Sequence, residues 1–587
     1  ILDLFGSGLG GRVRQPASNF GPQLGIAWDP RNNGRTVIRA GAGLYYENVI
    51  FNSVLFDRPA RLQNGLFFGT ATLCPSGDLT LPDGSTVSTN VCGQPVGNVV
   101  SDIAALQQLY QQATVSAGPQ ANGSFIGNTL AEGADSTGQN MFAPGFRTPR
   151  SFQMNVGFQH ELGRGTVVSA DYIRNVSTHY LLAQDINHVG DARFLNVTAA
   201  QNAIAGTLSA CGVATIDDAI SACPGLHPAD PPTQPLPGPA TIADFAASGL
   251  DSGTVFLSGV PASLFGLTPD FGAAFPGQNP DLGENQMLFP SGRSVYNGLQ
   301  VALRQRFANP IRGFKNVNLQ VSYSLSRFNS MTDDQDFINN AFDFRNTNRY
   351  FGPSALDRTH QFSFGGVLDL PFFTRVSFAA HFYSALPATL YLPPSGGGDI
   401  FTADLTGDGT GGSTTDFSRG DILPGTNVGA FGRTVHGGSG LNNVIGNFNS
   451  NVAGTLTPAG QAVVDAGLMT EGQLATLGGV VQPITPAPAG QASLGNLRDF
   501  AVKASWVLKV KEWFQIEPSA SFFNIFNFAN FDPNNAALSG ILDASVGSLN
   551  GTANTLDNRN RNRIGPGSGV FSSGSPRQLE FGLKITF

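Results

Sequence analysis

The chain has 587 residues, 33 Lys and Arg against 41 Asp and Glu for a formal net charge of −8, and only 13% charged residues, where soluble domains average about 25%. This sparse, net-negative charge excludes a nucleic-acid binder, which needs clustered Lys and Arg for phosphate contacts. Glycine at 73 and phenylalanine at 45, beside 3 Trp and 10 Tyr, imply many turns and a large apolar surface, yet no apolar run is long enough for a transmembrane helix, which leaves a soluble fold or a β-barrel.

The chain opens at Ile1 with ILDLFGSGLGGR, which has no basic start and no apolar signal core, so a fragment or processed product is expected. Gly6–Gly11 match G-x-G-x-x-G, but RVRQPASNF is no helix and no βαβ unit surrounds it, so no nucleotide loop is assigned. Strict period-2 alternation then marks strands at 21–30 (Leu24, Ile26, Trp28) and 36–47 (Ile38, Ala40, Ala42, Leu44, Tyr46). The following long connection holds Cys74 and Cys92 and a helical stretch from Ser101, expected as N-cap, with Ile103, Leu106 and Tyr110 on one face. Strands follow at 150–162 and 166–175. A second long connection holds Cys211 and Cys223, and each local Cys couple lies among Gly, Pro, Ser and Asn without zinc-site spacing, so two loop disulfides in an oxidising compartment are expected.

Alternation resumes at 294–307 and 316–327, ahead of an acidic-rich loop with Arg327, Asp333, Asp334, Asp336 and Asp343. Strands at 358–370 and 375–384 precede the fourth long connection. In it DLTGDGT places Asp404, Thr406 and Asp408 at alternate positions before a glycine, a partial calcium-loop pattern. The position-12 glutamate of such a loop is Thr415 here, so a structural calcium ion is an open alternative to a plain Asp/Gly turn. HGGSG at 436–440 reads as a flexible glycine loop, because no nucleophile-elbow strand precedes it, and 457–478 carries helical periodicity through Val463, Val464, Leu468 and Leu474. The last strands are expected at 496–509, 513–527 and 576–587, where Leu579, Phe581, Leu583, Ile585 and Phe587 share one face and Gln578, Glu580, Lys584 and Thr586 the other.

These eleven segments are longer than the usual strand of about 5 to 6 residues and match the roughly 9 to 11 residues of a membrane-spanning strand. Their apolar faces are uncharged, while the opposite faces carry Arg39, Glu161, Asp171, Arg304, His381, Lys503 and Glu517. Connections alternate between short (31–35, 163–165, 308–315, 371–374, 510–512) and long (48–149, 176–293, 328–357, 385–495, 528–575). Short turns on one rim and long loops on the other is the layout of an outer-membrane barrel, and a sandwich has no reason to sort its loops so. The fold class is therefore an all-β transmembrane antiparallel barrel with very long extracellular loops containing short helices. An odd count of eleven cannot close alone and suits half of a 22-stranded barrel.

The stretches FGPQLGIAWDPRNNGRTVIRAGAGLYYENV, SFQMNVGFQHELGRGTVVSADYIRN, SVYNGLQVALRQRF, LQVSYSLSRFNSMTDD, DRTHQFSFGGVLDLPF, FFNIFNFANF and SPRQLEFGLKITF resemble, in sequence and order, the TonB-dependent outer-membrane receptors, in particular the Oar-like group with a carboxypeptidase-regulatory domain. The resemblance covers nearly all the strands and few of the loops. It implies that residues 1–587 are the C-terminal part of one receptor barrel, without plug, TonB box or the first half of the barrel, and that terminal Phe587 belongs to a barrel-assembly signal. It also implies the partners: outer-membrane lipid, the assembly machinery, an extracellular ligand, and the TonB energy-coupling complex reached through the N-terminal part.

The expected function is uptake of a scarce ligand recognised by the loops, since binding residues concentrate on loops held by a rigid scaffold. A non-energised adhesive or structural surface barrel is the alternative. No enzyme is expected: the seven histidines are scattered and no pair has two-ligand spacing.

Overall fold

The computed structural model describes residues 7–47, 78–117, 141–229, 237–251, 273–278, 286–308, 314–331, 339–340, 346–392, 397–409, 421–487, 496–530 and 577–587, apart from a few isolated positions. Eleven long strands run in chain order through one sheet, each antiparallel to its neighbours. They are β1 Gln23–Trp28, β2 Thr36–Tyr46, β3 Arg150–Gly163, β4 Thr166–Asp185, β5 Gln286–Ala308, β6 Asn316–Ser330, β7 His360–Asp369, β8 Thr374–Tyr383, β9 Leu497–Trp506, β10 Phe514–Phe523 and β11 Gln578–Thr586. Leu508–Lys511 continues β9 past Val507 along β10. Among the described residues β1 pairs only with β2 and β11 only with β10, so the sheet has two open edges.

Register keeps the two faces distinct across the sheet. One row runs Arg39, Gly157, Asp171, Gln300, Ser324 and Gln361; a neighbouring apolar row runs Val156, Tyr172, Leu299, Leu325. Apolar side chains stay exposed on that second face: Leu24 is 80% exposed, Phe581 76% and Leu583 65%, a surface that only lipid covers favourably. Phe364 gathers Phe378, Phe382 and Phe500 on this face, with ring centroids 6.0 to 6.3 Å apart. All three tryptophans, Trp28, Trp506 and Trp513, lie exposed at the short-turn rim, where their amphipathic rings suit a membrane–water interface.

The short turns are set by local chemistry. Asp29 accepts hydrogen bonds from the backbone N–H of Arg31 (3.1 Å) and Gly34 (2.6 Å), and Asn32 and Gly34 take positive φ, as Asx-initiated turns do.

Two strands run well past the expected ends. β4 and β5 have 20 and 23 residues, beyond the spans expected at 166–175 and 294–307. Alternation fails there because the β4–β5 register shifts between Thr178 and Tyr180, with His179 at φ 64, a bulge that breaks the period-2 signal. The extensions rise above the membrane and gather two short parallel pieces, Met141–Phe142 on β5 and Asn339–Asn340 on β4. No helix among the described residues is long and apolar enough to cross a membrane.

Candidate functional site

Beyond the long-loop rim, two connections distant in sequence fold into one helical cap. From the first come α2 Val197–Cys211, α3 Ile216–Ser221 and α4 Ile242–Phe245; from the second α5 Asp399–Thr402, α6 Gly437–Asn451, α7 Pro458–Asp465 and α8 Glu471–Leu477; α1, Val100–Ala117, lies in an earlier loop. Their shared core joins Ala200, Phe245 and Phe275 to Phe401, Val463 and Leu474, with Phe275 and Phe401 meeting edge to face at 6.1 Å. Local signals fix the helices: Asn196 caps α2 through the Ala199 N–H and Gly212 ends it at φ 71. Thr470 and Gln473 form a capping box on α8. Thr457 caps α7 and donates its hydroxyl to Ile400 O of the α5 segment at 2.7 Å.

Several sequence expectations are corrected in these loops. Ser101 lies inside α1 rather than capping it. The helical periodicity of 457–478 is borne out as two helices, α7 and α8, separated at 466–470. HGGSG is not a flexible loop: His436 is the N-cap of α6, whose Leu441, Ile445 and Phe448 bury, so apolar anchoring overrides the helix cost of the glycines.

Cys211 and Cys223 form a disulfide inside the cap core. Cys92 is disulfide-bonded, and Cys74 lies outside the described residues, as do Asp333, Asp334, Asp336 and Asp343 of the acidic loop. Arg433 pins the cap to the sheet: its Nε donates to Asp357 Oδ2 at 2.9 Å and its Nη2 to Asp357 O at 2.6 Å, while Asp357 Oδ1 accepts from the Phe328 N–H of β6. Asp357 is buried and Arg433 nearly so.

Asp404, Thr406 and Asp408 come together in a buried turn at the junction of the two cap loops. Asp404 Oδ1 accepts from the N–H of Gly407 (2.6 Å) and the Thr406 hydroxyl (3.2 Å), and its Oδ2 from Gly409 N–H (2.9 Å). Gly407 and Gly409 hold φ 68 and 92, which the turn requires. Asp421 Oδ2 accepts from Thr406 N–H at 2.8 Å and its Oδ1 lies 3.8 Å from Arg349 Nη1. Burial, and then the charges of Asp408 and Asp421, hold the Asp404 carboxyl well above the ordinary range, and burial with Asp408 pushes Asp421 up to about 6. Among the described residues no group of three or more His, Cys, Asp or Glu is arranged to hold a metal ion.

Below the cap, the sheet's polar face forms a wall of charges and hydroxyls. Arg39 of β2 reaches over β3 to Asp171 of β4, and Ser505 donates to Glu517 at 2.9 Å. On β7 and β8, Ser363 Oγ meets His381 Nδ1 at 3.0 Å and Tyr383 OH at 3.1 Å. No carboxylate hydrogen-bonds to His381 among the described residues, so this pair lacks the third group that orients a catalytic base. A cavity of about 740 Å³ opens on the wall, lined by Arg304, Arg306, Gln320, Ser322, Ser363 and His381. Sequence patterning places these residues on one face; their cross-strand partners follow from register.

On the last strand, Leu579, Phe581, Leu583 and Ile585 stand opposite Phe522, Ala520, Pro518 and Ile516 of β10 on the apolar face, ahead of terminal Phe587. An apolar exterior, a polar wall and loops sorted to one rim are what a bacterial outer membrane demands of a strand-built protein, and residues 6–390 match the model of the outer membrane beta barrel domain. The chain belongs to that family. Solved structures similar to this outer-membrane barrel include the outer membrane transporter YddB from Escherichia coli (9% identity, 97% of this chain and 40% of that one, TM-score 0.38). A variant of the ferric enterobactin receptor PfeA from Pseudomonas aeruginosa follows (7% identity, 97% and 40%, TM-score 0.34), as does the FrpB iron transporter from Neisseria meningitidis (9%, 87% and 35%, TM-score 0.29). The barrel chain thus spans about two fifths of the length of the structures it matches. No curated protein matches it.

Proposed function

We propose that this chain is the C-terminal part of a TonB-dependent receptor of the Oar-like group, which takes up a scarce extracellular ligand. The observation that carries the reading is the placement of a folded cap, built jointly by the second and fourth long connections, at the mouth of a polar-walled sheet. A cap with a buried core and a disulfide holds recognition residues in fixed positions, and fixed positions cost less conformational entropy on binding. The polar wall gives a hydrophilic solute a path.

Every backbone group in lipid must be paired, so the open edges of β1 and β11 require further strands, and an even total closes the barrel. On this reading those strands, a plug and the coupling segment belong to the N-terminal part, which contacts the TonB complex. Calcium in the Asp404, Thr406 and Asp408 turn is not needed by it.

Uptake tests the proposal. Cells with and without the intact gene product are given limiting amounts of labelled ferric siderophores, oligosaccharides and peptides. Accumulation of one class that needs the protein and stops when the inner-membrane gradient is dissipated is expected. Accumulation indifferent to the gradient would overturn energised uptake and leave the passive or adhesive reading.

A further inference from the structure

The outward face is not uniformly apolar. Val317–Leu325 on β6 gives nine residues of alternating apolar side chains, and on β5 Leu299, Val301, Leu303 and Phe307 share that face, interrupted at Gln305, the span of a membrane strand of about 9 to 11 residues. Directly outward of that band, on the same face, register places Arg174 opposite Asn297 and Asn297 opposite Arg327. Two alternating positions farther out, Arg150 and Arg293 both stand opposite Thr178. Each pair flanks one strand, about 10 Å apart, and the rows are separated by about 13 Å of strand.

The four arginines therefore frame a patch on the lipid side of the long-loop rim, with Phe152, Val176 and Val295 between the rows. Arg150, Arg293 and Arg327 are exposed and Arg174 half-buried. None has an ion-pair partner among the described residues. Three are held by neutral groups: Arg174 Nη1 donates to Asn297 Oδ1 at 2.7 Å, beside the Tyr172 hydroxyl at 3.0 Å, Arg150 Nε donates to Thr178 Oγ1 at 3.5 Å, and the Arg293 guanidinium lies 4.2 Å over the Phe351 ring.

Arginine on the lipid face is strongly disfavoured at midplane and nearly neutral at the interface, so these residues mark headgroup level. Four guanidiniums without an ion-pair partner among the described residues, in a chain of net charge −8, are matched to an anion, and the planar fork favours phosphate. We propose that this patch binds the phosphorylated headgroup of an outer-leaflet glycolipid, with acyl chains running down over Tyr172, Leu299 and Leu325. The proposal rests on the outer-membrane position and not on the transport reading.

The test uses the full-length protein extracted from outer membranes and placed in phosphatidylcholine nanodiscs, with fluorescent bisphosphorylated lipid A as probe. Binding is expected to weaken about tenfold or more in the R150Q/R174Q/R293Q/R327Q variant and with dephosphorylated lipid A, while R31Q/R35Q at the opposite rim changes it by less than about twofold. Heat-modifiable gel migration reports folding. Should the quadruple variant not fold, R327E alone, at an exposed position, is expected to weaken binding by about threefold or more. Unchanged affinity in the folded variant, equal binding of dephosphorylated lipid A, or full displacement by inorganic phosphate would overturn the proposal.

Discussion

Arg39 and Asp171 sit on strands that are not neighbours, yet they share two hydrogen bonds of 2.9 and 2.7 Å because Gly157 of the intervening strand offers no side chain between them. A Cβ at Gly157 would overlap Asp171 Oδ1 and lie 2.8 Å from Arg39 Nε. The G157V variant is therefore expected to destabilise the barrel by about 1 to 3 kcal/mol. D171A alone should cost no more than about 1 kcal/mol, since Arg39 is part-exposed. In the D171A background the cost of G157V should shrink, and urea unfolding in lipid vesicles measures the cycle. Equal cost in both backgrounds would show that Gly157 is chosen for some other neighbour.

Leu583 and Lys584 are adjacent on β11 and face opposite ways, opposite Pro518 and Glu517 of β10. L583R is expected to lose roughly 2 to 4 kcal/mol if near midplane, while K584L on the wet face is tolerated. Assembly yield in outer membranes and unfolding midpoints read this directly. Similar losses would refute the lipid-facing assignment of the last strand.

Arg433 and Asp357 form a buried pair between cap and sheet, 12% and 2% exposed. R433M would leave the Asp357 charge buried with only the Phe328 N–H, at a cost of about 3 to 5 kcal/mol. The loss should appear as faster hydrogen exchange in 421–435 with the strands still protected. An exchange pattern unchanged in the cap would mean that other contacts hold it.

The Asp421 carboxyl is raised from 3.8 to about 6, and Asp404 is raised with it. The folded cap thus holds protons that the unfolded loop has released, so this contribution is full below about pH 4 and is lost as pH rises through about 6. Cap protection against exchange, corrected for intrinsic rates, should be higher at pH 5 than at pH 7, and D421N should reduce the difference. Because Asp404 already accepts from its own turn, chelation by EDTA is expected to leave the unfolding midpoint unmoved. A drop on chelation that D404N abolishes and added calcium restores would place calcium in the turn.

Alternation alone located all eleven long strands and the face of each, because a period-2 pattern with one face committed to lipid admits a single register of side chains. The Gly- and Asp-bearing short turns were equally legible, since their chemistry is local. The sequence also placed Cys211 beside Cys223 and marked the helical periodicity of 457–478. What it could not determine was the cap as one body: Phe275 meets Phe401, and Arg433 meets Asp357, across long stretches of chain that no periodicity relates. Nor could it join Arg39 to Asp171, or bring Arg150, Arg174, Arg293 and Arg327 onto one patch, because cross-strand partners depend on register and bulges. Local covalent geometry and side-chain period act within a few residues and are written in order along the chain. Contacts between distant loops and neighbouring strands are decided only when the strands have paired and the cap has folded around its own core.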